Sequence, residues 1–482
     1  MRYTMNILLS ISYFLFVFIF IFLDIKKKIL NNRILAIFFL FVAGNGLLYL
    51  SIIDKVLLRN NLSFGGAGYT TFIILSVYVW CRLQLLPCSV DPEVSRTAKI
   101  LYGGRSLLII FLWLIVFQVL VSLNYDFINQ FIPITTDVFR YNNIIAFILL
   151  SLTFLNGWFR IFIFSTRLRI IRRILVSTFI WIPVINIFVI FYMCKIASIE
   201  YDHSCNKAYN ENMRKDSLVC ETKYPLLMLH GVGFRDFRYI NYWGRIPKYL
   251  IKNGATVYYG HQEALGTIKD NAQMVKDKIL EIISQTGCEK VNIIAHSKGG
   301  LDARYTITTL GMGEYVASLT TISTPHRGSA LADLGNKYIS DKMYRSVARF
   351  FDKRFLKIGD KNPDFYTAMH QFTKEYAEKF NQETPDVEGI YYQSYMSLMK
   401  NCFSHSLLSI PYLIMCSADK QNDGLVTLES AKWGEFRDVF TNKRFRGVSH
   451  GDIIDITRGN YRNFDVIETY INIVSDLKNK GF

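Results

Sequence analysis

The sequence predicts an α/β chain in two parts. An all-α transmembrane bundle of about six helices occupies residues 1–200, a linker covers 201–220, and a mostly parallel sheet with helices on both faces fills 221–482. Three observations carry this reading. Long apolar runs stop near residue 200, short apolar runs then alternate with helical periodicity, and one of those runs, KVNIIAH, leads straight into SKGG. At 482 residues the chain has room for two domains.

Crossing a bilayer takes about 20 predominantly apolar residues, because hydrocarbon offers the backbone no hydrogen-bond partner. Six stretches come close: Met5–Leu23, Ile34–Ile53, Thr70–Leu86, Leu107–Leu123, Ile144–Phe164 and Ile174–Ile196. The first reads as a signal anchor. It is too long for a cleavable signal, lacks a small-residue cleavage site, and runs into Lys26, Lys27 and Lys28. Residues 1–200 carry 18 basic and 7 acidic residues, against 37 and 32 in the remainder. The basic excess therefore lies beside the apolar runs, which points to membrane topology and away from nucleic acid, for which no motif is present.

One set of alternating loops holds Lys26–Lys28 and Arg33, then Arg82, Arg96, Lys99 and Arg105, then Arg167, Arg169, Arg172 and Arg173. The other holds little beyond Lys55, Arg59 and Arg140. The positive-inside rule makes the first set cytoplasmic and the C-terminal domain of a multi-pass cell-membrane protein extracytoplasmic; losing one span inverts that placement. Acidic and His residues are nearly absent at mid-depth, so an anchor or lateral-interaction role is favoured over transport. Pro183 and the Gly44/Gly46 pair are able to kink helices, but lone breakers in membrane helices read as packing features. Eight cysteines, Cys88 among them, show no CxxC spacing. Free thiols are expected, with Cys205–Cys220 the one pairing weighed.

In the second part, Tyr224–His230, Ala255–Gly260, Lys290–His296 and Ala317–Thr324 read as buried strands, and Tyr242–Lys252 and Asp270–Gln285 as helices between them. KVNIIAHSKGG places Ser297 on a tight strand-to-helix turn, with Ala295 and Gly299 small enough for the chain to pass itself. That context predicts a serine nucleophile at a helix N-terminus, where the local field favours developing negative charge. LLMLHGVGF, Leu226–Phe234, supplies a loop whose backbone can lean over Ser297. The amides of Val232 and Lys298 are the expected oxyanion donors, and His230 is read as orienting that loop.

A base and an acid are expected later in the chain. Pro411–Ala418 reads as a strand, followed by Asp419 and Asp423, the latter in the tight-turn sequence NDG. His450, in GVSHGD, is the histidine that follows the acid. Asp423 is the expected acid, with Asp419 as its rival.

YPLLMLHGVGF, NIIAHSKGGLDARY, TTISTPHRGSALAD, NDGLV and SHGD, in this order over roughly 222–460, resemble the secreted bacterial triacylglycerol lipases of the Pseudomonas and Burkholderia type. The resemblance implies an α/β-hydrolase fold and an esterase or lipase acting on acylglycerols through Ser297, Asp423 and His450, with no cofactor required. Ala295 stands where Gly is more frequent. The resemblance also implies a structural calcium bracing the histidine loop, for which Asp452 matches one ligand. The partner aspartate is missing, Ser404-His405-Ser406 taking its place, which argues against the ion.

An insertion at 332–400 is expected to act as a lid. Within it Lys342–Phe355 is an amphipathic helix, followed by a basic cluster suited to anionic headgroups. Three rivals stay open: an acyltransferase with the same residues, a membrane transport or partner-binding protein with an idle hydrolase domain, and a peptidase or amidase. The mobile lid predicts that ester turnover rises above the critical micelle concentration of substrate or detergent; flat rates across it contradict a lid.

Overall fold

In the computed structural model a six-stranded parallel sheet organises the C-terminal part. The strands are β1 (Leu226–Leu229), β2 (Val257–Tyr259), β3 (Val291–His296), β4 (Val316–Ile322), β5 (Tyr391–Ser397) and β6 (Glu435–Phe440), in the order β2-β1-β3-β4-β5-β6. The structure describes all residues except 1, 60–64, 86–93, 169, 215–216, 235–240, 443–445 and 460–463, and no side chains at 2–10 or 59. Leu86, Cys88 and Arg169, and the side chains of Met5 and Arg59, therefore lie outside it. The chain divides into two units, 1–212 and 213–482.

The first unit contains α1 (Arg2–Lys27), α2 (Arg33–Gly44), α3 (Gly46–Arg59), α4 (Gly65–Leu85), α5 (Arg96–Leu123), α6 (Tyr125–Phe131), α7 (Thr136–Phe164), α8 (Ile170–Phe179) and α9 (Ile185–Met213). Among the described residues two helices, α5 and α7, are long and apolar enough to cross a membrane. A third qualifies if α2 and α3 count as one span. The expected span Ile34–Ile53 is broken there, bent by 76° where Asn45 separates the helices. The expected span Ile174–Ile196 is also broken. Pro183 cannot donate to the Phe179 carbonyl and its ring crowds it, so α8 ends at Phe179. α9 continues to Met213, so much of the expected linker at 201–220 is helical.

Polar side chains inside this unit satisfy one another. Asn45 bonds Gln118 and Asn142 at 2.9 and 2.8 Å, and Gln118 bonds Asn143 at 2.7 Å. α5 and α7 meet at a pair of glycines. A Cβ on Gly104 would lie 2.8 Å from Arg160 Cβ and 3.0 Å from the Gly157 carbonyl, so only glycine permits this approach.

In the second unit the helices are α10 (Ile246–Lys252), α11 (Ile268–Thr286), α12 (Lys298–Thr308), α13 (Ala330–Tyr338), α14 (Asp341–Ile358), α15 (Phe365–His370), α16 (Lys374–Glu383), α17 (Ser409–Met415), α18 (Leu428–Ala431) and α19 (Val466–Asn479). Strand alternation divides the core. Leu226, Met228 and Ile294 pack on one face with Trp243, Leu250, Tyr470 and Val474. Leu227, Leu229 and Ile293 pack on the other with Val275, Ile279 and Ile307. Both faces are covered, so the central strands read as continuous apolar runs.

Two expectations are corrected here. Pro411–Ala418 is not a strand: Ser409–Met415 forms α17, with Tyr412 and Met415 buried and Ile410 and Leu413 exposed, which is helical spacing. The insertion at 332–400 is not all lid, because Tyr391–Ser397 is a sheet strand between β4 and β6. Gly104→Leu should force α5 and α7 apart at a cost of about 1–3 kcal/mol. Thermal melts in detergent check this, and a midpoint equal to the parent's contradicts the close packing.

Candidate active site

β3 carries the chain into the sheet with every residue buried, and Ser297 follows at φ 54°, ψ −129°. Side chains rarely adopt this backbone, and it persists only when neighbours over-determine it. Those neighbours are small by necessity. A Cβ on Gly299 would meet the His230 carbonyl at 2.6 Å, and one on Gly300 the Thr324 side chain at 2.3 Å. Gly231 lies over the serine, since a Cβ there would come within 2.9 Å of Ser297 Cβ and 2.7 Å of the Tyr242 hydroxyl. α12 begins at Lys298, whose amide has no intrahelical partner to meet. The Lys298 side chain turns inward to a buried pair with Asp302 at 2.6 Å. Burial pushes that amine down and that carboxyl up, against the pull of the pair itself.

Asp423 and His450 are brought together. His450 Nδ1 lies 2.8 Å from Asp423 Oδ2. An ionised carboxylate only accepts, so that nitrogen carries the proton and Nε2 is left as the acceptor. The other carboxylate oxygen accepts from the amides of Val426 and Leu425 at 2.9 and 3.1 Å, the tight turn foreseen from NDG. Burial pushes the Asp423 carboxyl up, but His450 and the two amides outweigh it and hold it below its ordinary value. Asp419 instead accepts from the Gln421 amide. His230 sits between the carbonyls of Gly231 and Gln262, at 2.8 and 3.0 Å.

Ser297 and Val232 open onto a cavity of about 680 Å³, walled by Leu331, Leu334, Val347, Phe365, Phe372 and Leu425 among others. Its lining is almost wholly apolar and its size suits a large hydrocarbon group.

Residues 259–394 match the PGAP1-like alpha/beta domain family. Triacylglycerol lipase 2 of Saccharomyces cerevisiae is 31% identical over 264 residues, covering 50% of this chain and 75% of that protein. The chain belongs to the triacylglycerol lipase family. A triacylglycerol lipase of Vibrio cholerae is 28% identical over 288 residues, covering 54% of this chain and 89% of its own length. A Bacillus licheniformis lipase structure in mature form covers 52% of this chain and 92% of its own, with 20% identity and a TM-score of 0.39. Membership of that family makes the chain a lipase-like carboxylic-ester hydrolase.

Several side chains of the candidate site escaped sequence reasoning. The Ser397 hydroxyl donates to Asp423 at 3.2 Å and lies 3.2 Å from Ser323, itself at φ 50°. No signal marked Ser397, because β5 is the polar segment YYQSYMS. His296 packs its ring 4.5 Å from that of His450 and pairs with the Tyr242 hydroxyl at 2.7 Å. The calcium implied by the resemblance does not fit. Arg446 Nη2 stands 3.2 Å from the Asp452 carboxylate, and no group of three His, Cys, Asp or Glu side chains among the described residues could hold a metal.

Burial, then the neighbouring His450, holds His296 well below the ordinary 6.5, and burial, then Arg304 and Arg327, does the same at His326. Both stay neutral in the folded domain while the unfolded chain takes up their protons. Stability should therefore fall as pH drops below about 6.5, by roughly 1 kcal/mol per pH unit for each imidazole, until the folded values are passed. Melting between pH 5 and 7.5 checks this. His296→Gln should flatten the slope, and a slope parallel to the parent's contradicts it.

Proposed function

We propose that the chain is a membrane-anchored serine esterase that hydrolyses carboxylic esters of lipids, acylglycerols among them. The observation that carries this reading is a strained Ser297 opening onto an apolar cavity of about 680 Å³ in a domain that also holds the His450–Asp423 pair. Ser297 attacks the ester carbonyl as His450 Nε2 takes its proton, and Asp423 stabilises the imidazolium that results. The amides of Val232 and Lys298 hold the oxyanion, each donor contributing about 3 kcal/mol to the transition state. His450 then protonates the departing alcohol. Water, activated by the same imidazole, releases the acid and restores the serine.

The setting at the membrane rests on separate support. α5 and α7 are the long apolar helices, and the basic excess lies beside the apolar segments; the catalytic domain is extracytoplasmic if all six apolar stretches cross. Around the cavity, α14 exposes Met343, Val347 and Phe350 among Lys342, Arg345, Arg349, Lys353 and Arg354. An apolar stripe framed by cations suits an anionic lipid surface, and Val347 itself lines the cavity, which fits a lid.

Full-length protein in detergent, given a graded series of glycerol esters, tests the chemistry. Ser297→Ala and His450→Ala should each lower kcat by about 10⁴-fold or more, with free fatty acid as the acyl product of the parent. Acyl groups recovered mainly on an added alcohol would instead identify a transferase. Unchanged turnover in both variants would overturn the assignment.

A further inference from the structure

Arg446 ties down the base of the loop that carries His450. Arg446 Nη2 lies 3.2 and 3.4 Å from the two oxygens of Asp452. Its Nε donates to the Ser404 carbonyl, and the Ser404 hydroxyl donates back to the Arg446 carbonyl. Asp452 is buried, its side chain 1% exposed. Its carboxylate also accepts from the Ser449 amide at 3.3 Å, while the Ser449 hydroxyl accepts from the Asp452 amide at 3.2 Å. One residue along, the His450 amide donates to the Asp423 carbonyl at 3.0 Å. A continuous set of contacts thus runs from Ser404 through Arg446 and Asp452 to the imidazole and its acid.

Ser404 occupies the segment in which the resemblance would place a second aspartate, with a calcium ion between it and Asp452. Calcium demands six or more oxygen ligands and repels a guanidinium at the same carboxylate. Arg446 presents several donors in a fixed fork, which can join a carboxylate to a carbonyl in the way a divalent ion would.

We propose that Arg446 replaces the metal: it is a positioning residue that braces the His450 loop, and the enzyme needs no calcium. This rests on the reading of His450 as the base. Removing the guanidinium takes a charged partner from the buried Asp452 carboxylate and frees the loop from Ser404, so the imidazole loses its fixed aim. Misplacement on the ångström scale costs chemistry more than binding.

The test uses full-length protein in detergent with a soluble short-chain ester. Chelation by EDTA, then added calcium, should leave the parent's kcat and melting temperature unchanged. Arg446→Gln should lower kcat by about 10–100-fold with KM within about threefold. Asp452→Asn placed on top should recover part of that loss by removing the buried charge that Arg446 balanced. Arg446→Lys, which keeps the charge without the fork, should fall between and serves if the glutamine variant does not fold. A second arm reads melting alone in a Ser297→Ala background, where Arg446→Gln should still lower the midpoint. That arm keeps the brace distinct from the hydrolase assignment, which is read separately from the activity of Ser297→Ala itself. Loss of rate or stability on chelation that calcium restores, or a full rate in Arg446→Gln, would overturn the proposal.

Discussion

The backbone at Ser297 is the constraint around which the C-terminal unit is arranged. Its φ of 54° costs an L-residue on the order of 1–3 kcal/mol, so the rest of the domain must hold it in place. β3 anchors the turn on one side through a strand buried from Val291 to His296 and paired to β1 and β4. α12 anchors it on the other, with Gly299 against the His230 carbonyl, Gly300 against Thr324, and the Lys298–Asp302 pair buried in its first turns. The loop after β1 can cross the serine only because residue 231 has no side chain. Each of these fixes a direction in space for one hydroxyl.

A second chain of contacts fixes the imidazole. Ser323, at the end of β4, lies beside Ser397 at the end of β5, and Ser397 donates to Asp423. Asp423 holds His450, whose loop is tied through Asp452 and Arg446 to Ser404. The mouth is tied as well. Asp360, just past α14, accepts from the Ala264 and Leu265 amides at 3.3 and 3.0 Å, and Glu263 accepts from the Lys361 and Asn362 amides at 2.7 and 3.0 Å. Gly233, beside Val232, donates to Ala264 at 2.8 Å. The base of the proposed lid and the proposed oxyanion loop therefore share one short segment.

Much of this was legible in the residues. KVNIIAHSKGG, LLMLHGVGF and NDG each name a local geometry that only a few residue types permit, so the elbow, the loop and the tight turn at Asp423 were all foreseen. What was missed has several physical causes. β5 and β6 carry polar residues at sheet positions, Gln393 and Ser394 in one and Glu435 and Arg437 in the other, and neither reads as an apolar run. α17 holds four apolar residues in a row after Pro411, which hydropathy alone cannot assign to strand or helix. The breaks at Asn45 and Pro183 depend on local hydrogen bonding that a hydropathy window averages away. Ser397 and Arg446 matter only through residues distant in sequence, and no local pattern reports that.

The account stands or falls on whether Ser297 is an activated nucleophile. The most direct measurement is labelling of the full-length protein in detergent by a fluorescent fluorophosphonate, with the adduct located by peptide mass spectrometry. The account predicts one adduct, on the peptide that contains Ser297, absent from Ser297→Ala and strongly diminished in His450→Ala. A folded parent that stays unlabelled, or an adduct on any other residue, would contradict it.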